Sequence, residues 1–207
     1  RERWRTALDV ANSRRDALAM NFASDTTAPA HPRVIDAIAS VNTGSAPSYG
    51  ADDVTARLRA LLAATFETDA FEFWVCASGT ASNALALSVM CSSIGAIACH
   101  EEAHIERDER GAPEFFTGGA KLRLLPGFGA QIDETALREA LAKNDPGFVH
   151  ETPLETLSLT NPTECGTAYT PEKIQPYAAP AKAEGLTVPP DGARPANALV
   201  HTGSRPV

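Results

Sequence analysis

The stretch 71–91, FEFWVCASGTASNALALSVMC, decides how the rest of the chain is read. Phe71, Phe73, Trp74 and Val75 form an aromatic and β-branched run, the composition of an interior strand in a parallel sheet. Ser78, Gly79 and Thr80 follow as a small-residue turn, where backbone can approach a ligand closely. Leu85, Val89 and the alanines then supply a packing stripe at helical spacing. Amides that open a helix lack partners within it, and the helix dipole favours an anion beside them. A phosphate is the natural guest. Taken alone, the stretch is most simply an ordinary strand–turn–helix crossover.

Working outward, AIACH (96–100), KLRLLPG (121–127), LETLSLT (154–160) and LTVPPDGAR (186–194) read as further strands. IDETALREALAK (132–143) is an amphipathic helix with Asp133 as N-cap and Leu137 and Leu141 on one face. Thr170-Pro171 opens another helix and Gly185 closes it. Upstream, Pro32 starts a helix that runs to about Ser40. Asp52 or Asp53 caps a helix striped by Val54, Leu58, Leu61 and Leu62. Residues 1–20 form a charged, surface helical segment, and 21–207 form the main domain. Strands alternating with helices predict an α/β three-layer sandwich around a mostly parallel sheet. Two features oppose it. Pro176 and Pro180 fall inside a helix, at a cost of about 3 kcal/mol or more each. Pro189 and Pro190 delete ladder donors from the last strand.

The chain has 207 residues and a formal net charge of −8, with no basic run, which argues against nucleic acid as a partner. No apolar stretch is long enough to span a bilayer, and the start, RERWR, is not followed by a signal-type segment. A cytoplasmic location is the expectation. The absence of an initial Met suggests a processed product or a fragment. Cys76, Cys91, Cys99 and Cys165 contain no CxxC pair, and three of them sit in apolar surroundings and read as small core residues rather than disulfides or zinc ligands, with no metal site expected.

Ligands of parallel sheets bind beyond the carboxyl ends of the strands. Those positions carry Ser78-Gly79-Thr80, His104, Thr160-Asn161-Pro162, Asp191 and Arg194. A carboxylate at a strand end can hold a proton on a pyridine nitrogen, an imidazole can stack on the ring, and a guanidinium can fork onto an amino-acid carboxylate. The set describes a pyridoxal 5'-phosphate (PLP) site. Singly, each residue has a plainer reading. Asp191 could cap the helix after DGAR, His104 could be a solvated helix residue, Ser24-Asp25-Thr26 could be a capping loop, and Tyr49-Gly50 a packed turn.

Six segments then resemble the PLP-dependent threonine aldolases of the β-eliminating-lyase group: NFASDTTAPAHPRV, SYGADDVTARL, SGTASNALAL, EEAHIERDERGAPE, SLTNPTECGTAYT and DGARPANALV. They cover the chain from about Asn21 onward, in order. The resemblance implies the large domain of the aspartate-aminotransferase-like fold, truncated at its C-terminus. It implies cleavage of β-hydroxy-α-amino acids, with threonine giving glycine and acetaldehyde, and a homo-oligomer, dimer or tetramer. Phenylserine aldolases and other β-eliminating lyases are neighbouring choices of substrate. By motif, Gly79 and Thr80 beside Ser78 would hold the phosphate, with Asn83 in support. His104 would stack on the ring, Asp191 would meet its nitrogen, and Arg194 would meet its oxygen and the substrate carboxylate. Ser24 and Tyr49 would lie near the substrate. The family's cofactor-bearing lysine lies beyond the DGAR motif, and Lys121, Lys143, Lys173 and Lys182 stand in the wrong contexts to replace it. The resemblance therefore also admits an incomplete, inactive portion, or a noncatalytic remnant that binds a phosphate compound or associates with aldolase subunits.

Overall fold

A computed structural model describes residue 24 and residues 27–206, so the helical segment expected at 1–20 lies outside the described residues. The chain divides into two units, Arg1–Ala60 and Leu61–Val207. In the first unit, α1 (Pro32–Val41) has proline in its opening turn, and the His31 ring nitrogen accepts from the Arg33 amide. Asp52, not Asp53, caps α2 (Asp53–Phe66). Its carboxylate accepts from the Thr55 amide at 2.9 Å and the Thr55 hydroxyl at 2.7 Å. Neither helix buries a residue.

The second unit opens with a correction. Residues 71–76 form no strand, and Trp74 is 79% exposed. Aromatic propensity cannot make a strand without a partner to complete the ladder, and none of the described residues pairs with this segment. The rest follows in order. α3 (Gly79–Met90), β1 (Ala96–His100), α4 (His104–Arg107), α5 (Ala112–Phe116) and β2 (Lys121–Leu125) come first. Then come α6 (Glu134–Ala142), β3 (Leu154–Leu157), β4 (Leu159–Thr160), α7 (Pro171–Ala183), β5 (Pro190–Asp191) and α8 (Pro195–Thr202).

β1 is the centre of a parallel sheet of order β2-β1-β3, and all five of its residues are buried. Its period of two divides the interior. Ala96 and Ala98 face a core with Leu137, Leu141, Leu157 and Ala181, drawn from α6, β3 and α7, and with Tyr169 from the loop before α7. Ile97 and Cys99 face the other core, with Leu87, Ile105 and Ala120. Helices therefore cover both faces, as a three-layer sandwich requires. On α3 the buried face is Ala84 and Leu87 rather than the expected stripe, since Leu85 is exposed and Val89 is 81% exposed.

The prolines act unequally. α7 stays continuous through Pro176 and Pro180. Ala181 is fully buried, and the Tyr177 hydroxyl donates to the Ile132 carbonyl at 2.8 Å, so tertiary packing overrides propensity. Pro189 and Pro190 do thin the last strand. It survives as a Thr156–Thr187 bridge and the two-residue β4–β5 pair, both parallel. The carbonyls of Thr187, Pro189 and Asp191 accept from Leu157, Leu159 and Asn161, at 2.8, 3.4 and 2.8 Å. A proline can still accept, so the seam holds through acceptors.

Candidate functional site

α3 begins at Gly79 because Ser78 is extended, at φ −153°, and its hydroxyl accepts from the Ala81 amide at 3.2 Å. Ser78 is thus occupied as a cap. The amides of Gly79 and Thr80 have no partner among the described residues. A Cβ built on Gly79 would meet nothing within 4 Å. The helix runs for 12 residues, long enough for its dipole to favour an anion at this end.

β5 delivers Asp191. The Asn161 amide donates to its carbonyl, and the Asn161 side chain is clamped to the Tyr169 backbone by two hydrogen bonds. Between α3 and β5 lies a cavity of ≈ 260 Å³, walled by Gly79, Ser82, Asn83, Ile105, Ser158, Pro189, Asp191 and Gly192. Its lining thus includes both Gly79, with its unpaired amide, and Asp191, with its carboxylate.

The side chains behind this cavity are linked. Asn83 Nδ2 donates to Asp191 Oδ2 at 3.0 Å and to Glu109 Oε1 at 2.8 Å. His104 Nδ1 lies 2.7 Å from the same Glu109 oxygen. The Glu109 side chain is 0% exposed and that of His104 35%. The His104 amide donates to Glu164 Oε1 at 2.9 Å. Burial pushes the Glu164 carboxyl above the usual carboxylate range. The negative charge of Asp191 adds to this, while His104 opposes it.

Asp191, Asn83, Gly79 and His104 are therefore brought together, His104 through Glu109 rather than as a wall of the cavity. Asn83, assigned from sequence to support the phosphate turn, spends its amide on two acids. Arg194 lines a second cavity of ≈ 370 Å³, with Thr163, Glu164, Asn197 and His201. Ser24 and Tyr49 belong to the first unit. The Ser24 carbonyl accepts from the Thr27 hydroxyl, and Tyr49 is fully exposed at φ 60°. Sequence reasoning missed Glu109 and Glu164. Both lie inside segments that carried the resemblance, but in EEAHIERDERGAPE nothing separates a buried acid from its solvated neighbours. No group of His, Cys, Asp and Glu among the described residues could hold a metal ion.

A family model described as beta-eliminating lyase matches residues 21–206. The chain belongs to the beta-eliminating lyase family. Two curated relatives are low specificity L-threonine aldolases. The Pseudomonas aeruginosa protein is 38% identical over 186 residues, covering 89% of this chain and 53% of its own length. The Pseudomonas sp. protein is 37% identical over 185 residues, with the same coverage. The chain thus spans about half the length of the curated relatives it matches. The structure of Leishmania major threonine aldolase superposes with a TM-score of 0.77 at 28% identity, over 84% of this chain and 49% of that one. An aspartate aminotransferase from Rhodobacter sphaeroides, at TM-score 0.56 and 21% identity over 77% of this chain and 41% of its own, shares the fold. This family member has the aspartate-aminotransferase-like α/β fold expected from its sequence.

Proposed function

We propose that the protein is a PLP-dependent aldolase acting on β-hydroxy-α-amino acids, L-threonine giving glycine and acetaldehyde. In this reading the present chain supplies the cofactor-binding part. One observation carries it: a single cavity is lined both by Gly79, whose amide is unpaired at the start of α3, and by Asp191. A phosphorylated pyridine needs that donor set, amides for the phosphate and an acid for the ring nitrogen. The residues fit the group.

When bound, PLP supplies an electron sink for the pair released at the substrate's α-carbon. The chain's own residues do the rest. The Gly79 and Thr80 amides, with the Thr80 hydroxyl, would hold the phosphate. Asp191 would keep the proton on the ring nitrogen, and Asn83 fixes the direction from which Asp191 approaches. His104 would cover the ring. Arg194 would meet the substrate carboxylate. A homo-oligomer belongs to the same reading, and it is supported by the apolar surface left exposed at Trp74, Val75 and Val89.

A second reading rests on the lysines. Lys121 opens β2, Lys143 follows α6, Lys173 and Lys182 lie on α7, and none lines the cavity. Within these residues PLP would be held noncovalently, as in a portion that binds the cofactor or associates with aldolase subunits.

The test is a PLP titration followed by absorbance and by protein fluorescence, with acetaldehyde release from L-threonine assayed in parallel. The wild type should bind PLP, and Asp191→Asn should weaken binding about 10-fold or more, the loss of one charge-assisted contact. Absence of PLP binding by the wild type rejects both readings of the cavity. Acetaldehyde release decides for the aldolase.

A further inference from the structure

Glu109 is the least expected member of the site. It stands just past Asp108, the C-cap of α4, and Arg110 beyond it takes φ 54°, a left-handed conformation that turns the chain sharply away. The turn leaves the Glu109 side chain buried between His104 and Asn83, on two different helices. Its Oε1 meets two nitrogens at 2.7 and 2.8 Å. Its Oε2 is buried and has no partner among the described residues. All the hydrogen bonding of this carboxylate is concentrated on one oxygen.

The donor inventory limits what that geometry can mean. An ionised carboxylate only accepts, so both neighbours must donate. Asn83 Nδ2 has two protons and two acid partners, which sets its amide with nitrogen toward the acids. His104 must place a proton on Nδ1. A neutral imidazole carries one ring proton, so Nε2, which has no partner among the described residues, keeps its lone pair.

We propose that Glu109 is the positioning residue of this site: it holds His104 as the Nδ1-protonated tautomer with Nε2 as an open acceptor, and through Asn83 it ties that ring to Asp191. The orienting partner of a histidine selects its tautomer in this way in metal sites, where loss of the partner costs about 10–100-fold in affinity or activity. Here the carboxylate orients two groups at once. The consequence for PLP rests on the reading given above. The tautomer does not, because it belongs to this chain's own residues.

Nitrogen-15 NMR of histidine in the protein without added PLP tests the tautomer directly, with His104→Gln assigning the signal. Above the titration range of histidine, His104 should show a protonated Nδ1 and a bare Nε2. Glu109→Gln keeps the shape and a carbonyl acceptor, and should preserve that pattern. Glu109→Leu should let the Nε2-protonated form appear and weaken PLP binding by about 10–100-fold, with Glu109→Gln recovering most of the affinity. A wild-type His104 protonated at Nε2 overturns the proposal, even if Glu109→Leu fails to fold. An unchanged tautomer in folded Glu109→Leu overturns it as well. A wild type that shows the expected tautomer and binds no PLP removes the cofactor reading and leaves the assignment of Glu109 standing.

Discussion

The Asn83 amide donates to the Asp191 carboxylate at 3.0 Å across a sequence separation of 108 residues. It ties the start of α3 to the last strand on the far side of the cavity, and its other proton goes to Glu109. Replacing it with alanine leaves two acids without their shared donor. The loss should be about 1–3 kcal/mol, the usual effect of stranding a hydrogen-bonding group. Asn83→Asp should be worse than Asn83→Ala, because it adds a third carboxylate to the pair. Urea denaturation of the two variants measures the order, and equal midpoints would refute the assigned geometry.

Glu164 gives a pH dependence with a definite sign. Burial raises its folded-state pKa above the ordinary value of 4.5. The folded protein therefore binds this proton more tightly than the unfolded chain. The associated stability is fully present below the unfolded value and is lost as pH rises through the folded value. Glu164→Gln keeps an acceptor for the His104 amide and removes the charge. Its stability relative to wild type should grow as pH rises from about 4 and then level off. Parallel denaturation curves at every pH would count against this account.

The cysteines should separate by burial. Burial pushes the Cys91 thiol up to about 11 and the Cys99 thiol up to about 12, and Cys165 is exposed. The thiolate is the reactive form. In the native protein a thiol reagent should label Cys165 quickly, and Cys91 and Cys99 only on unfolding. Peptide mapping after timed labelling reads the order.

Gly127 should resist substitution. An added Cβ would overlap the Gln131 carbonyl oxygen and come within 2.8 Å of the Asp133 amide, both backbone. The His100 ring contacts the Gly127 carbonyl at 3.2 Å, so a shift here reaches the end of β1. Gly127→Ala should cost about 1–3 kcal/mol, the range for overpacking, measured as a lowered urea midpoint. A neutral result would show that the turn can move freely.

What could be read from the sequence depended on whether a signal was local. AIACH is apolar on both faces and became the fully buried central strand. Asp133 and Thr170 are caps, and each accepts from an amide three residues on. That His104 and Asp191 would lie near one another was legible because each follows or ends a strand of a parallel arrangement, wherever the helices pack. FEFWV has strong β propensity, but pairing needs a second segment, which no window contains. On α3, Leu85-Val89 and Ala84-Leu87 both satisfy helical spacing, and only the neighbouring layer decides which pair is buried. Glu109 was hidden for a related reason. Burial is set by the Arg110 turn and by α3, both invisible in a charged run.

Pro189 and Pro190 carry one more consequence. Two successive pyrrolidine rings restrict the backbone just before Asp191 in the unfolded chain as well as the folded one. The acid thus sits at the tip of a stiff stalk whose ordering was largely settled before folding began. What the sheet forfeits in ladder bonds there, the site gains as a carboxylate that arrives already aimed.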